Sequence, residues 1–492
     1  MPGLTAGLYI GLTGLNSQQA ALNIVGHNIA NVNTPGYSRQ RADLGTTDSQ
    51  NFGGLLFGSG ASLQSITGVR DRFLDLQLIQ EQSRQSGSQS RYEGLQSISG
   101  SLGDTGDTGL NALVQKFFNG FRDLSARPED LSLRQGLVGQ AQTLVNSLKG
   151  RYSELDAQRN AANDAIGASV TQINTLTAQI AKLNQRIEGE VPPAVDNDAR
   201  DQRKQLVDSL SKLIGIQVFE GSKGEYQISV DSGKAVLVGG TASYNLQVTP
   251  DPVYQNYYRV DSLMPGSTVD ITQGVTNGDL GAKLDLRDNI LSGYERQLDQ
   301  LAAGVSGQVN LLHRTGYDRS GTVTGLDFFL GGVANGANGL PTTITAATNY
   351  KGMVYALNVN AAISGNPSLI ASGGIPNAPG DNTVARGLGN LQTAANTVDT
   401  NGDGVGDSGP FSQVVSVLVT QVGSQGQSFQ TTADTQQNLV NALQTQRDRV
   451  SGVDLDEEAT SMINFQRGYQ ASARFISVIN QLTDQLVNQF GR

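Results

Sequence analysis

The chain has no cysteine, no tryptophan and only 2 histidines, and only 16% of its 492 residues are charged. Without cysteine, disulfides, thiolate metal sites and cysteine nucleophiles are excluded together. His27 and His313 stand far apart in sequence, and no Gly-x-Ser-x-Gly turn, Walker loop, dinucleotide fingerprint or metalloprotease His pair accompanies them. The carboxylates single out no pair for acid-base work. Catalysis and a bound cofactor are therefore not expected. A net charge of -10 and a pI near 4.8 leave no basic stripe for phosphates, so nucleic acid is not expected as a partner. No run of about eighteen apolar residues occurs, which argues against membrane insertion. The start, Met1, Pro2, Gly3, Leu4, lacks the basic and apolar regions of a cleaved signal peptide, so composition by itself points to the cytoplasm.

Apolar residues are present at both ends in seven-residue spacing. Leu8, Leu15, Leu22 and Ile29 form one stripe, with Leu4, Leu12 and Val25 beside it. Toward the C-terminus, Leu455, Met462, Tyr469, Ile476 and Phe490 share one register, and Phe465, Ile479 and Leu486 share a second. Ser472 and Thr483 interrupt this seam, while Phe475 and Leu482 widen it. Asp454 stands three residues before Glu457, a spacing in which the aspartate caps the first turn and the glutamate reaches back to it. The helix should start near Leu455. Neither stripe can bury itself, so the two ends pair with each other, with copies of themselves or with neighbouring proteins.

Between the ends the period changes several times. Pro35 and Gly36 stop the first helix, and residues 41–70 read as irregular or short β structure. Residues 72–213 carry helical spacing, as in Leu113, Phe117, Phe121 and Leu124, then Val170, Ile173, Ile180 and Ile187. Residues 216–272 alternate, as in Tyr226, Ile228 and Val230, and form a β module. Residues 279–312 are helical again. Residues 317–382 are loop-rich, with strand candidates at 342–346 and 353–359. Residues 411–450 are helical, with a Gly and Gln patch at 423–427 that loosens the helix. The fold class is mainly α with β-rich modules, an α+β multidomain chain with paired, coiled-coil-like terminal helices, a helical bundle and a small β outer domain. The expected division is a terminal stem of residues 1–70 and 430–492, a bundle of 71–316 and 383–429 with its β module at about 216–272, and an outer region of 317–382.

The N-terminal run Asn28, Ile29, Ala30, Asn31, Val32, Asn33, Thr34, Pro35, Gly36, Tyr37, Ser38, Arg39, Gln40 resembles the signature shared by flagellar rod, hook and hook-associated proteins. The C-terminal run Gly452, Val453, Asp454, Leu455, Asp456, Glu457, Glu458, then Phe465, Gln466, Arg467, Gly468, Tyr469, is similar to the FlgK family of hook-associated proteins. Gln297, Leu298, Asp299, His313, Gly316, Asp318, Phe328 and Phe329 are similar to the middle of that family. The resemblance implies a structural subunit that self-assembles, as a ring or helical layer, at the hook–filament junction. It implies contact with the hook protein and a second junction protein, and a cytoplasmic export chaperone on the C-terminal helix. It also implies secretion without a cleaved signal peptide. The expected assembly interface is the set of twelve stripe residues just named, Leu8, Leu15, Leu22, Ile29, Leu455, Met462, Phe465, Tyr469, Ile476, Ile479, Leu486 and Phe490.

Two alternatives stay open on the residues alone. A rod or hook protein shares the N-terminal signature, although such proteins are mostly β between their ends. An enzyme displayed on a flagellar stem would carry a metal or nucleophile motif in residues 317–410, and none is there. Locally, Asp399, Asn401, Asp403 and Asp407 open like a calcium loop, but Pro410 stands where the closing glutamate belongs, and a polar surface turn is the competing reading.

Overall fold

The structure, a computed structural model, describes residues 2–52, 55–102, 106–189, 196–331, 351–394, 396–398 and 407–490. Helix α1 (Pro2–Ala30) is followed by β1 (Gln40–Thr46), β2 (Gln50–Phe52), β3 (Leu55–Phe57) and β4 (Ala61–Gly68). Then come α2 (Arg72–Leu102), α3 (Leu110–Ala126), α4 (Leu131–Glu188) and α5 (Asn197–Leu213). Strands β5 (Gln217–Glu220), β6 (Tyr226–Val230), β7 (Ala235–Gly239), β8 (Ala242–Ser243), β9 (Leu246–Pro250), β10 (Tyr258–Met264) and β11 (Ser267–Asp270) lead into α6 (Gly278–Asp285), one π turn (Leu286–Ile290) and α7 (Leu291–His313). The rest is β12 (Phe329–Leu330), α8 (Met353–Ala356), β13 (Asn358–Val359), α9 (Ala361–Gly365), α10 (Thr383–Asn390), β14 (Asn396–Val398), β15 (Asp407–Gly409), α11 (Phe411–Ser451) and α12 (Leu455–Phe490). Among the described residues no helix is long and apolar enough to cross a membrane.

Aspartates set where the long helices begin. Asp71, Asp130, Asp196 and Asp454 each accept from an amide in the turn that follows, so first-turn donors that lack intrahelical partners are satisfied. The chain divides into two compact units, each built from separated segments. One comprises Met1–Gly87, Ala168–Gly281 and Asp434–Arg492, the other Ser88–Gly167 and Ala282–Ala433.

In the first unit α1 lies against α12 and against the antiparallel pair β1 and β4. The alternating segment forms two antiparallel sheets, in the orders β5-β6-β7-β8 and β11-β10-β9. Arg203 of α5, fully buried, ties helix to sheet: its guanidinium lies 3.5 Å over the Tyr226 ring and donates to Asn184 Oδ1 and the Gly224 carbonyl. A planar cation stacked on an aromatic face keeps its charge with few hydrogen bonds.

The second unit is helical around an aromatic centre. Phe117, Phe118 and Phe121 of α3 are fully buried against Phe328, Phe329 and Phe411. The Gly and Gln patch expected to loosen the C-terminal helix does not interrupt α11, which runs unbroken from Phe411 to Ser451. The strand expected at 353–359 is instead α8 followed by the short β13. The buried Asp299 carboxylate decides this, because it accepts from the amides of Gly352 and Val354 at 2.9 Å each and so starts a helix there. The strand expected at 342–346 lies outside the described residues.

His313, fully buried at the end of α7, has both ring nitrogens committed. Nδ1–H donates to the Leu326 carbonyl at 2.7 Å, and Nε2 accepts from the Ala371 amide at 2.9 Å. A second ring proton would destroy the latter bond, and burial lowers the pKa from 6.5 to about 4. The unfolded chain thus takes up this proton before the folded one does. The stability held by neutral His313 is complete above about pH 6.5 and is lost as the pH falls toward about 4, by about 3 kcal/mol over the full shift. Burial raises Glu295 to about 7 and Asp299 to about 6, so these two act in the opposite sense and favour the folded state as acid is added. Comparison with His313→Gln cancels them: melting curves recorded from pH 7 to pH 4 should show the unmodified protein losing its advantage over the variant across this window.

Candidate functional site

The two ends of the chain meet along a narrow, antiparallel seam. Gly7 faces Ile479, Gly11 faces Ile476 and Phe475, Gly14 faces Ser472, and Gln18 lies over Gly468. A Cβ placed on Gly11 would stand 2.6 Å from Ile476 Cγ1, so α1 approaches α12 more closely than any side chain there would allow. On α12 the half-buried residues include the row Met462, Phe465, Tyr469, Ser472, Ile476, Ile479, Thr483 and Leu486, alternately three and four apart, with Ser461, Gly468 and Ala473 beside it. The interrupted heptad read from the sequence is therefore the face turned to α1, polar interruptions included.

The stripe residues of α1 stand beside this seam. Leu8, Leu15, Leu22 and Ile29 are half-buried, each one position after a residue of the row Gly7, Gly14, Ala21 and Asn28. Leu455, at the start of α12, is 51% exposed, and the Phe490 side chain lies outside what the structure describes. Most of the calcium-loop reading, residues 399–406, also lies outside the described residues.

Beyond the seam a polar latch joins α1, the following loop, α5 and α12. Asn28, 1% exposed, uses its whole amide: Nδ2 donates to the Gln40 carbonyl and to Glu458 Oε2 at 3.1 Å, and Oδ1 accepts from the Gln40 amide and from the Tyr37 hydroxyl at 2.7 Å. Arg39 then bridges both glutamates, through Nε to Glu458 at 2.7 Å and Nη1 to Glu457 at 2.6 Å. Glu457 thus pairs with Arg39 in place of the expected backward cap, while Asp454 does cap Asp456 and Glu457. The Arg39 amide donates to the Ser451 carbonyl, closing the link between α11 and α12.

Burial pushes the Tyr37 phenol up, and Asp198, Asp201 and Glu458 add to this, so it remains a donor. Burial opposes the charge on Arg39, but the Glu458 and Glu457 carboxylates outweigh it and its pKa is raised. Gly36, at φ +79°, turns the chain where any side chain would strike Gln205, whose amide donates to the Pro35 carbonyl. Asp201 of α5 receives the Ser38 amide and hydroxyl and Arg70 Nη2, and it sits buried. The loop 31–39 read as a helix stop is in fact a joint. Nothing in the sequence separated Asp201 from the other acidic residues of amphipathic helices, whereas Glu458 stood within the C-terminal run quoted for the resemblance. Asn28, Tyr37, Ser38 and Arg39 did stand within the quoted signature.

No chemistry on a substrate follows from this arrangement. Among the described residues no group of three or more His, Cys, Asp or Glu side chains could hold a metal ion. Its product is a fixed geometry between the two ends. Asn28→Asp, equal in size, would place a second buried carboxylate against Glu458 and remove a donor, and should cost the first unit about 3–5 kcal/mol. Adding Glu458→Gln restores a donor between the two positions and should recover much of that loss, which a double-mutant cycle of denaturant melts would measure.

The comparisons with known proteins run along the same segments. Residues 95–329 match the family described as the flagellar hook-associated protein FlgK helical domain. Residues 8–37 match the flagella basal body rod protein family, and residues 444–489 match the C-terminal region of the flagellar basal body rod FlgEFG proteins. Flagellar hook-associated protein 1 of Salmonella typhimurium is 31% identical over 97% of this chain and 98% of its own. The Bacillus subtilis protein of the same name is 27% identical over 99% and 98%. In structure, the flagellar hook junction protein FlgK from Burkholderia pseudomallei shares the fold with a TM-score of 0.64 and 19% identity, over 76% of this chain and all of that one. With its two ends latched as described and its near full-length likeness to these proteins, the chain belongs to the flagellar hook-associated protein 1 (FlgK) family.

Proposed function

We infer that this protein is a structural subunit of the bacterial flagellum, exported from the cell and placed at the junction between hook and filament, with no catalytic role. The observation that carries self-association is the outward face of α12. Phe475, Val478 and Leu482 follow one another at three- and four-residue spacing and are 42–51% exposed, next to a seam that is already filled by α1. An apolar row left in water on a helix whose other face is paired suits a neighbour that covers it. Of the interface residues named from the sequence, those of α12 from Met462 to Leu486 then hold the two ends together, and the surface that meets other copies is the row Phe475, Val478 and Leu482, which that set did not include.

On this reading copies form a ring or short helical layer, a head-to-tail contact that closes only if its rotation permits. The hook protein below and a second junction protein above are the neighbours the family membership suggests. A cytoplasmic chaperone covering α12 before export has a physical motive, since the same apolar row would otherwise aggregate. The division into a stem of 1–70 and 430–492, a bundle of 71–316 and 383–429, and an outer region of 317–382 remains our proposal for how these contacts are distributed.

Two variants separate the two surfaces. Val478→Asp with Leu482→Asp changes side chains already in water, and should leave the melting of the purified protein within about 1 kcal/mol of the original. Cells carrying it should nevertheless lack filaments and release filament subunit into the medium. Ile476→Asp with Ile479→Asp strikes the inner seam and should lower the stability of the first unit as well. Normal filaments on cells with the first variant would refute the outward face as an assembly surface.

A further inference from the structure

Five Asn-Gly steps occur in the sequence, beginning at Asn119, Asn277, Asn335, Asn338 and Asn401. Such a step is chemically distinct, because glycine has no Cβ to keep its amide nitrogen from the side-chain carbonyl carbon of the asparagine before it. Two of the five lie among the described residues, and the fold treats them differently. Gly120 is inside α3, where its N–H is held by the carbonyl four residues back and the helix fixes the direction of the nitrogen. Gly278 opens α6, ahead of the helical hydrogen-bond ladder.

Packing in the first unit allows only glycine at 278. Its φ is +76°, and a Cβ there would stand 2.6 Å from the Ile214 amide nitrogen and 2.7 Å from the Ile214 Cα. The asparagine in front of it is exposed, in the irregular segment between β11 and α6. Its side-chain amide donates one long hydrogen bond, from Nδ2 to Thr276 Oγ1 at 3.4 Å. Together with Thr276, Asp231, Ser83 and Arg84 it lines a polar cleft of about 250 Å³, a volume that holds several waters.

We propose that Asn277 is a spontaneous modification site, which the fold leaves open to deamidation through a cyclic imide with Gly278 while it protects Asn119. The Gly278 nitrogen loses its proton to solvent and bonds to Asn277 Cγ; the Cγ–Nδ2 bond breaks, and Nδ2 takes up protons and leaves as ammonia. Water then adds to one of the two imide carbonyls. Opening at Cγ gives aspartate, and opening at the backbone carbonyl carbon gives isoaspartate, whose main chain is one carbon longer. No oxidant or cofactor takes part. The second product bears on packing, because the Asn277 carbonyl accepts from the Gly215 amide at 3.2 Å and becomes a free carboxylate in isoaspartate. The longer main chain also shifts Gly278 against Ile214, so both contacts that seat the start of α6 on the end of α5 are altered.

Peptide mapping by mass spectrometry tests this on the purified full-length chain, held folded at mildly alkaline pH and sampled over time. Deamidation at Asn277 should exceed that at Asn119 at least tenfold, and should quicken as the pH is raised because the attacking nitrogen must lose its proton. In denaturant, where neither step is held by the fold, the two should react at similar rates. The peptide that contains residue 277 should carry isoaspartate beside aspartate, since only the imide supplies the former. Asn277 left intact in the folded chain, while it reacts in denaturant, would overturn the proposal by showing that the loop protects it. Equal loss at Asn119 and Asn277 in the folded chain would overturn the discrimination ascribed to the fold. Aspartate without isoaspartate would overturn the imide route in favour of direct hydrolysis.

Discussion

The first unit depends on one buried interaction: the carboxylate of Glu458, 1% exposed, held by the Asn28 amide and by Arg39. A buried carboxylate is tolerable only when its lone pairs are taken, and here the donors come from α1 and from the loop after it. The residue that satisfies the charge also fixes the register. With Asn28 against Glu458, Gln18, Gly14, Gly11 and Gly7 fall in turn on Gly468, Ser472, Ile476 and Ile479. A one-residue slip would bury Asn28 without its partners and would turn the glycine row away, so polar satisfaction and close packing select the same alignment.

Glycine in a helix costs about 1 kcal/mol relative to alanine, and α1 has five of them among its first 26 residues: Gly3, Gly7, Gly11, Gly14 and Gly26. At Gly7, Gly11 and Gly14 the cost is offset by backbone approach, which lets Ile476 and Ile479 reach across the seam. The gain is a pairing that occupies a narrow stripe of each helix. A side chain at Gly11 would also press on the Phe475 ring, which borders the seam and, like Val478, remains partly exposed.

Much of this was readable before the structure. The α12 seam, with its polar interruptions at Ser472 and Thr483, follows from apolar spacing because a helix projects its side chains at a constant angle. The helix start at Leu455 and the change to strands after residue 216 follow from capping and alternation. Local period could not report the closest approach of α1, because the row Gly7, Gly11 and Gly14 has no side chains to show in a hydropathy pattern; the leucine stripe stands one position on, beside it. Nor could it report α8, where a remote carboxylate, Asp299, overrides the β-branched and apolar run of 353–359. The latch was visible only as a signature: Tyr37, Ser38 and Arg39 follow a Pro-Gly turn, and turn chemistry says where a chain bends without saying what the next side chains will grip.

Low charge completes the logic of an assembly subunit. A surface solvated mainly by Gln, Asn, Ser and Thr loses less on being covered than one solvated by Lys and Glu, because neutral groups are cheaper to desolvate than ions. Charge is instead kept where it orders the chain: Arg39 with Glu457 and Glu458, Arg70 with Asp201, Arg159 with Glu295. Two of these pairs include a carboxylate at most 8% exposed on the same unit as the glycine seam. Specific geometry is set by those few ions, and the broad neutral surface is left for neighbours. A structural subunit is served by both properties: a shape that is settled before contact, and a face that gives up its water at small cost.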